Sequence, residues 1–424
     1  MDNQNNLRPR VSLVMLSLLF LLVTMGKYNL YFGFALKPYM LFCILFIVFH
    51  LSSFRFRSFQ LFEVFLFLFY FAYVYSGAFS LHAISSLRIL LGVILYLACY
   101  IVIKDILSGS SQKLIEKALG ISGILFNLIS LGLYVIGLKQ HHFSFEGDGV
   151  ISYGVLFDRD YPRLIGVLQD PNFYIFYNTI FFTYFLCNGK RWWHKVGLLL
   201  SIMTSLLTFS RGGLLAMVVV FLLYLLMNRP LQQAKLLLGS VVMLSILAYL
   251  AIVQLKFDFY GILESRVEDF SQDGGSGRFD LWARAWEFFS THQIFGIGAF
   301  NYPDYNFYFF GDSHYVHNTF LDILSESGLI GLFFYLIFAF LLVFQLVESK
   351  MYRRKPYLFL TFIGFMLQML SLSLIINDMF FLYLAILSSY LYADQKESKR
   401  EALCLTKGHK PVLHTMMKGS DPIQ

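Results

Sequence analysis

Three residues are hard to explain as packing: Arg211, Arg278 and His317. Arg211 lies in "SRGG", which interrupts the apolar run Val196–Asn228. A guanidinium recessed below a membrane surface costs several kcal/mol unless it finds an anionic partner. Gly212 and Gly213 let the chain turn into a helix whose first N–H groups are free, and arginine beside a helix N-terminus suits phosphate oxygens. The plain alternative is an arginine that snorkels to the headgroups. Arg278 opens a helix after the glycine-rich "GGSG", where a cation opposes the helix dipole and points to an anionic ligand; an exposed loop arginine is the other reading. Asp280, Arg284 and Glu287 are spaced to pair along that helix.

His317 stands in "DSHYVHNTFLDILSESG", directly before a long apolar run. Its imidazole titrates near neutral pH, as a general base toward a hydroxyl must. Helix capping and a metal site made of Asp312, His314 and His317 are the competing readings. No HExxH pattern and no second acidic cluster accompany them, so no metal is assigned. Glu326, nine residues beyond His317, need not share a helix face with it.

A second tier surrounds these three. Arg163 precedes "QDPNFY", in which Asp170 reads as an N-cap and Pro171 as an early helix position. Arg88 sits just inside one end of a span, and His314 neighbours His317. Tyr302 and Tyr305 belong to an aromatic cluster that fits sugar stacking and an interfacial aromatic belt equally well.

The elements that must carry these residues are membrane helices. Of the 424 residues, 58% are hydrophobic and only 14% charged, with 48 Phe and 27 Tyr. That balance implies an all-α polytopic membrane protein. Windows of spanning length fall near 11–26, 37–51, 61–79, 86–103, 114–138, 166–187, 196–209, 212–227, 236–255, 317–347, 357–374 and 378–392. Twelve spans place both termini on one side. The connections on that side hold 22 of the 33 Lys and Arg, against 11 on the other, so the termini are expected to be cytoplasmic. The net charge of +7 then reflects topology and anionic lipid, and nucleic acid is not an expected partner.

Residues 1–392 are expected to form one transmembrane domain with extracytoplasmic loops at 139–165 and 256–316, followed by a cytoplasmic tail at 393–424 that starts as a solvated stop. The run after Arg10 lacks a small-x-small cleavage site and reads as a retained span. Cys43, Cys99, Cys187 and Cys404 are scattered and offer neither a disulfide framework nor metal spacing.

The stretches "RLIGVLQDPN", "TFSRGGLLAM", "SGRFDLWARAWEFFSTHQIFGIGAFNYPD" and "HNTFLDILSESGLIGLFFYL" occur in the order seen in the bacterial O-antigen ligase/polymerase superfamily. The chain resembles that family over roughly residues 163–336. The resemblance implies a GT-C-like glycosyltransferase fold of about a dozen helices, without metal or other cofactor, located in the bacterial inner membrane. The donor would be a glycan on undecaprenyl pyrophosphate and the partner an acceptor glycolipid, with membrane lipids around and a chain-length regulator protein as a further partner. Arg211 and Arg278 would hold the pyrophosphate, His317 would act on the acceptor hydroxyl, and Arg163 is a looser assignment.

The acceptor separates two expectations. A ligase delivers the glycan to lipid A core in lipopolysaccharide; a polymerase delivers it to another lipid-linked repeat unit. Residues 256–316 hold four basic and nine acidic side chains, which repel a heavily phosphorylated acceptor and favour the polymerase. A lipid flippase is the rival of another class. Polar residues crowd one mouth and no internal repeat is evident, whereas transporters place their sites near the midplane of repeated halves.

Overall fold

The computed structural model describes residues 11–32, 35–143, 147, 149–158, 161–249 and 277–406, and it is mostly helical. Each of the twelve apolar windows carries a helix. Leu61–Phe79, Ala83–Ser108, Gln112–Gln140 and Thr319–Glu348 are long and apolar enough to cross a membrane by length and composition. Leu13–Thr24, Pro38–Ser53, Arg211–Leu226 and Pro356–Met369 are shorter apolar helices.

Two helices form the middle of the bundle. Nearly every side chain of Pro171–Cys187 is buried, as are Met379 through Leu391 of the last helix. A helix apolar on all sides has no wet face and belongs in a core. Pro171–Cys187 packs between Trp192–Leu207 and Pro356–Met369, while Thr319–Glu348 packs along Leu61–Ser76. The outward surfaces keep large apolar side chains exposed, Phe71, Leu222 and Phe340 among them. Such a surface fits lipid contact.

Two expectations need correction. The fold is not purely α, because part of the 139–165 connection is a three-stranded antiparallel sheet of Val150–Ser152, Val155–Asp158 and Tyr161–Leu164. Val155 and Phe157 turn inward while Leu156 and Asp158 stay partly covered, the period-two pattern of a half-buried strand. A two-stranded ladder joins Leu30–Tyr31 to Ala35–Leu36. The last helix also runs past residue 392 to Thr406. There Arg354 grips Asp394 through two bonds of 2.7 and 2.9 Å, and Gln60 pairs with Gln395, so "DQKESKR" continues the helix instead of ending it.

The feature that builds the site is a break in Thr319–Glu348. Gly328 adopts φ +61 and ψ −159 inside the helix. A Cβ there would lie 2.3 Å from the carbonyl oxygen of Ile294, so only glycine fits. Segment 293–298 enters the gap and takes over the freed backbone groups. Leu329 N–H donates to Gln293 O at 2.8 Å, Ile297 N–H to Ser325 O at 2.9 Å and Gly298 N–H to Glu326 O at 3.0 Å. Irregular backbone inside a membrane bundle persists where protein satisfies it. The Arg278–Thr291 and Tyr302–Phe310 helices are thereby fastened to the head of the broken helix.

Candidate active site

At that head, the "HN" pair divides two tasks. Asn318 is the N-cap, with Oδ1 accepting from Phe320 N–H at 3.1 Å and Leu321 N–H at 3.3 Å. His317 is left over from capping. Its φ of +55 is a conformation few non-glycine residues adopt, and its backbone N–H is held by Ser373 Oγ at 2.9 Å. Strain of this kind persists where the surroundings over-determine it, often at functional positions. The histidine lines a cavity of about 420 Å³, together with Asp170, Asn172, Asp322, Glu326 and Ser373.

The electrostatics join His317 to the arginines. Burial lowers its pKa below the ordinary 6.5, Arg278 and His314 lower it further, and Asp170 opposes them. The imidazole is therefore neutral at neutral pH and able to take a proton. Arg278 is itself lowered, first by burial, then by Arg211 and Arg163, with Asp170 again opposing. Arg163, Arg211, Arg278, Asp170 and His317 thus share one locality, and Arg163 reaches across 45 positions of sequence, its Nε–H donating to Thr208 O at 3.0 Å.

 The same guanidinium donates from Nη1 to Asp158 Oδ2 at 2.7 Å, so Arg163 ties the small sheet to the turn before Arg211.

Arg211 is the first residue of the Arg211–Leu226 helix and is exposed. Ser210 caps that helix by accepting from Gly213 N–H at 3.4 Å, and its hydroxyl donates to Asn172 Oδ1 at 2.6 Å. Because Asn172 lines the cavity, the helix start lies at the cavity edge. The glycines do a different job from the one expected. Phe209, at φ +50, makes the turn, while a Cβ on Gly213 would strike Ile175 at 2.2 Å and one on Gly212 would meet Ser371 at 2.6 Å. They permit close packing. Asp170 caps its helix as expected, accepting from Asn172 N–H at 2.7 Å and Phe173 N–H at 3.1 Å.

Other expected contacts move. Tyr302 and Tyr305 are fully covered, packed with Phe288, Ile297 and Val316, and the Tyr302 hydroxyl donates to Leu281 O at 2.8 Å. Buried rings offer no face to a sugar, so both are core residues of the clamped segment. Arg284 pairs with Asp312 at 2.9 Å and with Asn306 at 3.0 Å, across the loop instead of along its own helix. His314 is exposed and hydrogen-bonds Asp312. Burial would raise the Asp312 carboxyl, but its bonds to His314 and Arg284 bring it down to about 2. Arg88 is exposed beside Ile89, which lines the cavity. Lys256 and Arg266, and most of the acidic excess counted over 256–316, lie outside the described residues.

Sequence reasoning missed the cavity's acidic wall. Glu326 does share the cavity with His317, because His317 precedes the helix and its periodicity does not bind it. The Glu326 carboxylate accepts from Phe300 N–H at 3.1 Å and Tyr302 N–H at 3.0 Å, and Tyr73 donates to it as well. That makes it a clasp between loop and helix. Asp322 is 3% exposed, and its Oδ2 has no hydrogen-bond partner among the described residues. An acidic residue in a first helical turn reads as a dipole complement, which hid it.

Arg163 and Arg278, partly buried, and Arg211, exposed, thus stand near His317 at one end of an apolar bundle. Residues 196–336 match the family model described as O-antigen ligase (Wzy_C). The match supports the O-antigen ligase/polymerase superfamily for this chain, and with it a membrane glycan ligase or polymerase in general. It includes Arg211, Arg278 and His317, whereas Arg163 and Asp170 lie upstream of it. No curated protein matches the sequence.

Proposed function

We propose that this protein is a glycosyltransferase that polymerises lipid-linked polysaccharide repeat units, using a polyprenyl-pyrophosphate-linked glycan as donor. The observation that carries the reading is the crowding of Arg211 and Arg278 beside His317. Arg211, exposed, and Arg278, partly buried, carry like charges that repel, and a pyrophosphate relieves that repulsion. Arg211 and Arg278 hold the pyrophosphate, and Arg163 adds to the field while bracing the turn. The acceptor hydroxyl oxygen attacks the donor's anomeric carbon. The bond from that carbon to the pyrophosphate oxygen breaks, its electron pair leaves with the pyrophosphate, and the hydroxyl proton passes to His317. The leaving group is already activated, so anion stabilisation and one positioned hydroxyl suffice, and no metal or nucleotide is required.

In this reading the site lies on the extracytoplasmic face of a bacterial inner membrane, in a GT-C-like bundle of twelve spans with cytoplasmic termini, and the bias of Lys and Arg toward one set of connections supports that orientation. Undecaprenyl pyrophosphate is the lipid carrier in this reading, and the acidic excess over 256–316 favours another lipid-linked repeat unit as acceptor over lipid A core. Supplying purified protein with the lipid-linked repeat unit alone tests it. A ladder of products lengthened by whole repeats is expected. Transfer that appears only after lipid A core is added would make the protein a ligase.

A further inference from the structure

His317 takes its backbone shape from a loop in a distant part of the chain. The Pro356–Met369 helix ends there, and residues 370–377 lead to the last helix, which starts at Asp378. The loop is pinned from several directions. Thr319, fully buried, donates its hydroxyl to Leu372 O at 2.6 Å and accepts from Leu374 N–H at 3.0 Å. Tyr70 donates to Ile375 O at 2.7 Å. Leu372 and Leu374 are buried, and Ser371 lies against Gly212, where a Cβ would come within 2.6 Å of the serine Oγ. The loop therefore touches both the helix that Arg211 begins and the turn that carries His317. Between these fixed points Ser373 lines the cavity, and its Oγ accepts the His317 N–H at 2.9 Å.

Neither helix capping nor the loop's own fold accounts for Ser373. Asn318 caps the helix with its own side chain, and Thr319 and Tyr70 already hold the loop. What Ser373 does hold is a backbone at φ +55, a conformation that a side-chain-bearing residue keeps only where its surroundings impose it. Fixing that amide fixes the direction in which the imidazole leaves the chain.

We infer that Ser373 is a positioning residue for the transfer reaction: it keeps His317 in its left-handed conformation, aimed at the acceptor hydroxyl, and acts through His317 alone. The inference rests on the transferase reading above, with His317 as its base. A base and a hydroxyl must meet within hydrogen-bond length, and a misplacement of about 1 Å costs on the order of 10²-fold in rate.

The experiment measures kcat and KM on the lipid-linked repeat unit, with purified full-length protein in lipid nanodiscs. It compares Ser373→Ala, Ser373→Thr, His317→Ala and the double variant Ser373→Ala/His317→Ala. Farnesyl pyrophosphate binding to each sample reports whether the donor site is formed. Ser373→Ala is expected to lower kcat by about 10–10²-fold with KM and farnesyl pyrophosphate affinity unchanged. Ser373→Thr keeps the hydroxyl acceptor and should recover most of the rate. Added to His317→Ala, the Ser373→Ala change should cost nothing more, because a residue that acts through a base has no effect once the base is gone. Wild-type kcat in Ser373→Ala, a parallel loss of farnesyl pyrophosphate affinity, no recovery in Ser373→Thr, or a further fall in the double variant would each overturn the inference. Slow turnover in His317→Ala beside a normal Ser373→Ala removes this inference alone, whereas normal turnover in His317→Ala removes the base on which it rests.

Discussion

His317→Ala is expected to slow glycan transfer by roughly 10²–10⁴-fold while leaving donor affinity nearly unchanged, the signature of a lost general base. The structure makes this a clean test. Asn318, not His317, caps the Thr319–Glu348 helix, and Ser373 holds His317 through the backbone, which alanine retains. His317→Gln should remain nearly as slow, because an amide can hold a hydroxyl but cannot take its proton. The pH profile gives a second readout. A base must be unprotonated, and burial together with Arg278 sets this imidazole below 6.5. Activity should therefore persist through neutral pH and be lost only as pH falls below the ordinary histidine range. Steady-state assays of purified protein across pH measure both. Near-normal turnover in His317→Ala would reduce the residue to a structural turn.

The next largest effect is expected at the arginines. Arg211→Lys and Arg278→Lys keep the charge but lose the planar fork that matches two phosphate oxygens, and lysine does not replace it. Each should lower kcat/KM by about 10²–10³-fold, the usual cost of removing one donor to a developing anion. Binding of farnesyl pyrophosphate should weaken in the same variants, whereas Arg88→Lys, altering an exposed side chain at the margin, should change it little. Protein yield should hold for Arg211→Lys, since this exposed residue starts a helix that Ser210 caps. Wild-type affinity in Arg211→Lys and Arg278→Lys would separate these residues from the donor.

What could be read from the sequence divides along physical lines. Arg211, Arg278 and His317 stand out because each sits at a helix start beside apolar sequence, a position that is expensive without a reason. Helix positions were readable because apolar runs of spanning length leave few alternatives. The contents of the cavity were not. Asp322 and Glu326 look like ordinary helix residues until Gly328 breaks the helix and segment 293–298 fills the gap, a contact between distant parts of the chain. Tyr302 and Tyr305 resemble a sugar platform in one dimension, but the clamp turns them inward. The glycines of "SRGG" suggest a turn, yet their neighbours Ile175 and Ser371 come from other helices. Arg163 is only a looser assignment from sequence, because the bond to Thr208 O that ties it to the turn before Arg211 joins distant parts of the chain.

A transferase of this kind must release its lipid pyrophosphate each time a bond forms. Purified protein in lipid nanodiscs, supplied with lipid-linked repeat units, should release one polyprenyl pyrophosphate for each glycosidic bond made, and EDTA should not change that ratio or the rate. Both products are countable by chromatography of a lipid-labelled and sugar-labelled donor. Release matched to product, and lost together with it in Arg278→Lys, is the predicted result. Glycan growth without release of the lipid pyrophosphate, or movement of the labelled lipid across the membrane with no bond formed, would contradict it.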